Sequence, residues 1–191
     1  MLAAAQALLG VGVTTVRDLG CRNHVSLEVR DAIDSGAVVG PRVLSAGPPI
    51  TTTGGHCWFM GGEADTEDEL RKLVRRHHRA GVDLVKVMAT GGHMTAGSSP
   101  SHAQFTVREL SAVVDEAHAR GLRVAAHAHG IEGIERALQS GVDTIEHCSF
   151  TRTNGTREVD ERLADRIAAS GGFVSPTINL TMPALERAPG H

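Results

Sequence analysis

The segment Ala80–Gly92, AGVDLVKVMATGG, decides the fold because it holds a helix end, a strand and a loop start in one short stretch. Gly81 suits the left-handed position that ends many α-helices. The run 83–89 is rich in Val, Leu and Met without strict polar alternation, which is typical of parallel strands covered on both faces. The segment therefore predicts a strand of a parallel α/β fold that follows directly on a helix.

The same junction recurs along the chain, with a glycine between a helical pattern and an apolar run. It is found at Leu9-Gly10-Val11, Arg120-Gly121-Leu122, Ser140-Gly141-Val142 and Ser170-Gly171-Gly172. Six strands are predicted, at 12–17, 42–46, 83–89, 122–127, 143–147 and 173–177. Periodic apolar faces predict helices between them. Thr66-x-x-Glu69 and Thr106-x-x-Glu109 are typical of capping boxes at two of the helix starts.

This alternation of strands and helices is compatible with a doubly wound sheet or a barrel. A dinucleotide-binding sheet has a glycine-rich turn after its first strand, and Leu19-Gly20-Cys21-Arg22 does not supply one. We therefore expect a partial (β/α)8 TIM barrel of about six parallel strands, with residues 1–191 as a single incomplete domain. Because a complete barrel has eight strands, one is expected to be missing before Met1 and one after His191.

Composition narrows the class of protein. Of the 191 residues 41% are hydrophobic and 21% charged, as in soluble globular domains, and the net charge is -3. This charge and an aromatic content of 3% give no reason to expect nucleic acid or a membrane surface as a partner. The apolar segment Met1–Gly10 is too short to span a bilayer. Cys21, Cys57 and Cys148 are odd in number and widely spaced, which favours reduced thiols and a cytoplasmic location.

Three candidate metal-binding groups lie at or near the ends of successive predicted strands. They are Lys86, His127 and His147. The carboxyl ends of barrel strands share one rim, and neutral imidazole is a common ligand of divalent metals. A lysine ammonium has no lone pair, but the carbamate formed from its neutral amine and CO2 would be an anionic ligand that can bridge two cations. The alternatives are histidines that only form hydrogen bonds at loop starts, and a lysine paired with Glu146.

Five motifs then resemble the amidohydrolase superfamily. They are GVTTVRD at 12–18, TTTGGH at 51–56, VDLVKVMATGG at 82–92, VAAHAHG at 124–130 and GVDTIEH at 141–147. The similarity runs from about Ala5 to Thr177. It is strongest to the imidazolonepropionase-related peptidases, a branch that includes Xaa-Pro dipeptidase-like and arginine carboxypeptidase-like enzymes.

The resemblance implies roles for particular residues. Lys86 would be the carboxylated bridging lysine, and His127 and His147 would be metal ligands. Members of this kind usually hold two divalent ions, commonly zinc, that activate water for attack on an amide carbonyl. His129 would polarise that carbonyl, and His56 would contact the substrate. His93 receives no role, because an apolar residue is expected there in this branch.

The departures from the family pattern matter as much. No His-x-His pair precedes the first predicted helix, and no strand after Pro176 offers the catalytic Asp of the family. We therefore expect a metal-dependent hydrolase of a small amide or peptide bond, such as a dipeptide or an N-acyl amino acid. We expect it as a truncated fragment that has half of the metal site and does not turn over substrate alone.

Three alternatives stay open at this point. One is a non-catalytic barrel fragment that serves as a binding module. Another is one half of a split enzyme, with strands one and eight supplied by another chain. Separately, the open barrel edges are expected to allow a homo-oligomer or association with another chain. The last is a barrel that uses Gly91 and Gly92 to bind a phosphate.

Overall fold

The computed structural model describes residues 1–178. Six helices alternate with six strands in this part of the chain. The helices are α1 Leu2–Gly10, α2 Val25–Asp34, α3 Glu67–Ala80, α4 Val107–His118, α5 Ile131–Gln139 and α6 Glu161–Ala169. The strands are β1 Thr15–Asp18, β2 Arg42–Ser45, β3 Leu84–Met88, β4 Arg123–Gly130, β5 Thr144–Thr151 and β6 Phe173–Ser175. A 3-10 turn covers Trp58–Met60 in the loop between β2 and α3.

All the strand pairs are parallel. β1 pairs with β2, and β3, β4, β5 and β6 follow one another in a second sheet. The segment after β2 connects the two sheets at Ile50. Its amide donates to the Lys86 carbonyl at 2.8 Å, and its carbonyl accepts from the Met88 amide at 2.8 Å. The arrangement is therefore one curved run of parallel strands, a partial TIM barrel, and the predicted fold class is confirmed.

The strand predictions differ from the structure mainly at their carboxyl ends. β4 continues to Gly130 and β5 to Thr151, beyond the predicted ends at 127 and 147. A register shift between Ala128 and Gly130 accompanies this extension. Such bulges are common beside active sites because they redirect side chains.

The helix starts follow the predicted capping chemistry. The Thr66 hydroxyl accepts from the Glu69 amide at 3.3 Å, and the Glu69 carboxylate accepts from the Thr66 amide at 3.1 Å. Thr106 and Glu109 form the same reciprocal pair at the start of α4. Each pair satisfies two backbone donors that a helix start leaves free, so local sequence alone defines these two boundaries.

Two apolar clusters lie on opposite sides of the sheet. Val85 and Val87 pack with Leu70 and Leu110 on the helix side, in the larger cluster. Leu84 lies in a second, small cluster with buried alanines of neighbouring strands. Because successive side chains on a strand point to opposite faces, Lys86 points away from the helices and into the barrel interior. Within residues 1–178, no helix is both long enough and apolar enough to cross a membrane.

Candidate active site

Three histidines meet at the carboxyl ends of β4 and β5. The ring centroids of His127 and His129 lie 4.7 Å apart, and that of His147 lies 4.7 Å from His127 and 4.5 Å from His129. The His129 and His147 rings are nearly parallel, with 16° between their planes. One ring nitrogen from each residue lies within 4.8 Å of the other two. This spacing allows the three imidazoles to approach one small ion with little rearrangement.

Each of these rings uses one nitrogen for a hydrogen bond, and the other has no partner among residues 1–178. His127 Nε2 donates to the Gly91 carbonyl at 2.9 Å. His129 Nδ1 lies 2.7 Å from Ser149 Oγ, and His147 Nδ1 lies 2.7 Å from Thr177 Oγ1. Metal-ligating histidines are typically oriented through their second nitrogen in this way. The free donors are therefore His127 Nδ1, His129 Nε2 and His147 Nε2, a set that fits a divalent metal.

The backbone of β5 departs from regular strand geometry to bring His147 into this cluster. Ile145 packs on the helix side, and Glu146 points into the barrel. Strict alternation would return His147 to the helix side. Instead, His147 and Cys148 have φ angles of 70° and 49°, in the left-handed region. Such residues cost about 1–3 kcal/mol each and concentrate at functional sites.

Burial keeps the three imidazoles neutral. It is the largest cause that lowers the pKa of His127 well below its ordinary value. It also lowers the pKa of His129 to about 3 and that of His147 to about 4. Positive neighbours, including Lys86 for His127 and His147, act in the same direction. A neutral ring is the form that ligates a metal, so the cluster needs no deprotonation before it binds one.

Lys86 lines the same cavity and is 3% exposed. Burial, the largest cause, lowers the pKa of its amine to about 7, although Glu146 acts in the opposite direction. The alternative pairing with Glu146 does not form. That carboxylate accepts from Arg17 at 3.0 Å and from Thr144 at 2.9 Å, and no hydrogen bond within residues 1–178 engages the lysine amine. The residue is therefore a buried amine without an ion-pair partner in the described part of the chain.

Two loop histidines complete the wall. The His56 ring centroid lies 4.7 Å from that of His127, and its Nδ1 lies 3.2 Å from Thr95 Oγ1. His93, to which sequence analysis assigned no role, lies 5.5 Å from His129 and lines the cavity. Its position depends on how the loop after β3 folds back, and no local signal in the sequence indicates this.

The glycine pair after β3 does not form a phosphate site. The Gly91 amide donates to the His102 carbonyl at 3.0 Å, and the Gly92 amide donates to Ser98 Oγ at 3.1 Å. A phosphate loop needs such amides free to point at the anion. The glycines serve close packing instead, because a Cβ on Gly92 would lie 2.4 Å from the His56 ring.

These groups surround a cavity of about 560 Å³ at the carboxyl ends of the strands. Its walls include Lys86, the three clustered histidines and the two loop histidines, together with Arg17, Glu146 and Arg157. Size, position and polar groups are those of a site for a small molecule.

The comparison with known families agrees with this geometry. The sequence profile of the Amidohydrolase family matches residues 1–188. The chain belongs to the amidohydrolase family. This amidohydrolase is 35% identical over 167 residues to ochratoxinase of Aspergillus niger, a match that covers 73% of this chain and 34% of that protein.

Solved structures of related proteins are similar to nearly the whole of this chain. A Xaa-Pro dipeptidase with bound methionine in its active site superposes on this amidohydrolase with a TM-score of 0.86 and 35% identity, over 97% of this chain and 47% of the other. The ochratoxinase of A. niger superposes with a TM-score of 0.83 and 30% identity, over 97% of this chain and 46% of the other. The chain thus spans about half or less of the length of each of these relatives.

Proposed function

We propose that this chain carries the metal-binding rim of a hydrolase that cleaves a small amide or peptide bond. The observation that supports it best is the cluster of three neutral histidines, each with one free nitrogen, in a small-molecule cavity beside a buried lysine. The substrate class rests on the family and on the size of the cavity, and a Xaa-Pro dipeptidase is among the similar structures.

We infer that the first metal is held by His127, His147 and Lys86 as a carbamate. Zinc matches imidazole nitrogen and carbamate oxygen as donors. A bound divalent ion would activate water for attack on the amide carbonyl. Lys86 is buried and has no ion-pair partner among residues 1–178, which favours its neutral amine. The neutral amine is the form that reacts with CO2 to give the carbamate.

His129 has two roles open to it, and its free Nε2 can serve only one at a time. The nitrogen either polarises the amide carbonyl, as the family resemblance implies, or acts as a third imidazole ligand, which the spacing of the cluster also permits. His56, whose ring lies 4.7 Å from that of His127, is proposed to contact the substrate. His93 joins it as a second substrate contact, since its ring faces His129.

We infer that turnover by this chain alone is absent or very slow. The described residues, 1–178, contain a single cluster of three or more metal-ligand side chains. A second ion would need further ligands, and none of the described residues has been assigned as a general base. The expected metal content is therefore at most one ion per chain.

Cobalt titration tests the metal site, because the bound ion reports its ligands by visible absorption. We expect the chain to bind one Co2+ and His127→Ala or His147→Ala to weaken binding about 100-fold or more. His78→Ala is the matched control, since His78 is exposed on α3 away from the cavity. Unchanged affinity in both ligand variants would refute the proposal. In His129→Ala, lost cobalt affinity assigns a ligand, whereas retained affinity assigns the carbonyl-polarising role.

Partners and location follow as narrower proposals. We propose a small amide or dipeptide as the only partner class, in a reducing cytoplasm that suits Cys21, Cys57 and Cys148, each of which is buried and unpaired. Association through open strand edges stays a prediction. Light scattering after gel filtration checks it, with a dimer or larger species as the expected result if the edges pair.

A further inference from the structure

Arg157 is the exposed cationic side chain of the cavity that has no acidic partner among residues 1–178. Arg17 is paired with Glu146, the only carboxylate that lines the cavity in the described part of the chain. Lys86 is buried at the base. In the loop of Arg157 itself, the neighbouring guanidinium of Arg152 pairs with Glu158 at 3.4 Å. The cavity rim therefore presents one exposed guanidinium whose charge is not compensated.

The loop holds Arg157 in place through a short hairpin. Residue Thr151, at the end of β5, forms an antiparallel bridge with Arg157. The Arg152 amide donates to the Thr156 carbonyl at 2.8 Å, and Asn154 Oδ1 accepts from the Thr156 amide at 3.0 Å. The backbone at Arg157 is thus fixed relative to β5, although its side chain is free to reach a ligand.

A chain of contacts links this hairpin to the histidine cluster. His129 Nδ1 lies 2.7 Å from Ser149 Oγ, which lies 3.2 Å from Thr151 Oγ1, and Thr151 bridges to Arg157. Arg157 lines the same cavity as His129, the ring that is proposed to ligate the metal or polarise the amide. An anionic group one carbon away from the scissile amide is a ligand that such a guanidinium would bind.

We propose that Arg157 binds the α-carboxylate of the substrate, so that the chain selects amides of the N-acyl amino acid or dipeptide type over neutral amides. The inference rests on the proposed function for the scissile bond. The planar fork of arginine matches a carboxylate with two parallel hydrogen bonds, which a lysine cannot provide. Arg157 is a specificity residue on this account and takes no part in the bond-breaking step.

The test compares two ligands that differ only in this charge, N-acetyl-L-methionine and N-acetyl-L-methioninamide. Their affinities are measured by calorimetry on the whole chain with and without saturating zinc. We expect the acid to bind about tenfold more tightly than the amide, the size of a charge-assisted hydrogen bond. Arg157→Gln should remove this preference by weakening the acid alone. Arg157→Lys should restore part of it, and Arg152→Gln, in the same loop, should keep all of it.

Each outcome has a separate meaning. Equal affinity for acid and amide, a preference that survives Arg157→Gln, or no binding of either ligand would overturn the inference. Cobalt titration of the same samples tests the proposed function independently. Metal binding without an acid preference defeats the Arg157 assignment alone, whereas an Arg157-dependent preference without metal binding defeats the proposed hydrolase site alone. Circular dichroism of each variant excludes loss of folding as the cause.

Discussion

Arg17 of β1 and Glu146 of β5 form an ion pair across the barrel interior, with 3.0 Å between Nη2 and Oε1. The Glu146 side chain is 3% exposed, and its Oε1 also accepts a hydrogen bond from the Thr144 hydroxyl at 2.9 Å. The pair joins the first and fifth strands of the described fold. Because Glu146 pairs with Arg17, Lys86 forms no ion pair with it. The proposed carbamate needs a lysine amine that is not held in such a pair.

Arg17→Met should therefore destabilise the fold, because it leaves a buried carboxylate without its cation. A loss of about 2 kcal/mol in the free energy of unfolding is expected, less than for a fully buried pair because Arg17 is partly exposed. Urea denaturation measures it. The double variant Arg17→Met/Glu146→Gln should recover part of the loss, because it also removes the unpaired carboxylate. An equal free energy of unfolding for the single and the double variant would contradict the importance of the pair.

Gly133→Ala tests how closely α5 packs on the site. A Cβ there would lie 2.1 Å from Thr90 Cγ2, and Thr90 Oγ1 accepts from the His129 amide at 3.1 Å. The clash should outweigh the better helix propensity of alanine, costing about 1–3 kcal/mol and weakening cobalt binding. Gly10→Ala, at the end of α1 with nothing within 4 Å, is the control and should be neutral or slightly stabilising. A stabilised Gly133→Ala would disprove the close approach.

His77 should make stability depend on pH. Burial lowers its pKa to about 4 from 6.5, and its buried Nδ1 has no hydrogen-bond partner among residues 1–178. Below pH 6.5 the unfolded chain takes up a proton at this residue that the folded chain refuses, so stability is full above pH 6.5 and falls until about pH 4. At pH 5 the loss from this residue is about 2 kcal/mol.

The measurement is urea unfolding at pH 7 and pH 5 for the unmodified chain and for His77→Gln. Other buried histidines contribute to the total pH dependence, so the informative quantity is the difference between the two proteins. The unmodified chain should lose about 2 kcal/mol more than the variant. The same loss in both would show that His77 is not held neutral by burial.

Cys148 should be unreactive in the folded protein. Burial raises the pKa of its thiol to about 11, so the thiolate that attacks alkylating reagents is scarce at pH 8. Iodoacetamide followed by peptide mass spectrometry should find Cys148 unmodified in the native chain and fully modified in urea. Rapid native labelling would mean that the left-handed segment at 147–148 opens readily.

Much of the fold could be predicted from the sequence because its signals are local. The glycine at each helix-to-strand junction and the two threonine–glutamate capping boxes act within a few residues of each other. The position of Lys86 and His127 at a common rim follows from these junctions, since parallel strands place their carboxyl ends together.

The remaining features depend on contacts between distant parts of the chain. The orientation of His147 results from a left-handed backbone that no strand pattern indicates, and the Arg17–Glu146 pair joins residues far apart in sequence. His93 and Arg157 reach the cavity only because their loops fold back over it. The sequence by itself thus determined the order of strands and helices and the rim on which the candidate site lies. Tertiary structure decided which side chains meet there, because sheet curvature, register shifts and loop closure bring distant side chains together and leave no trace in local residue patterns.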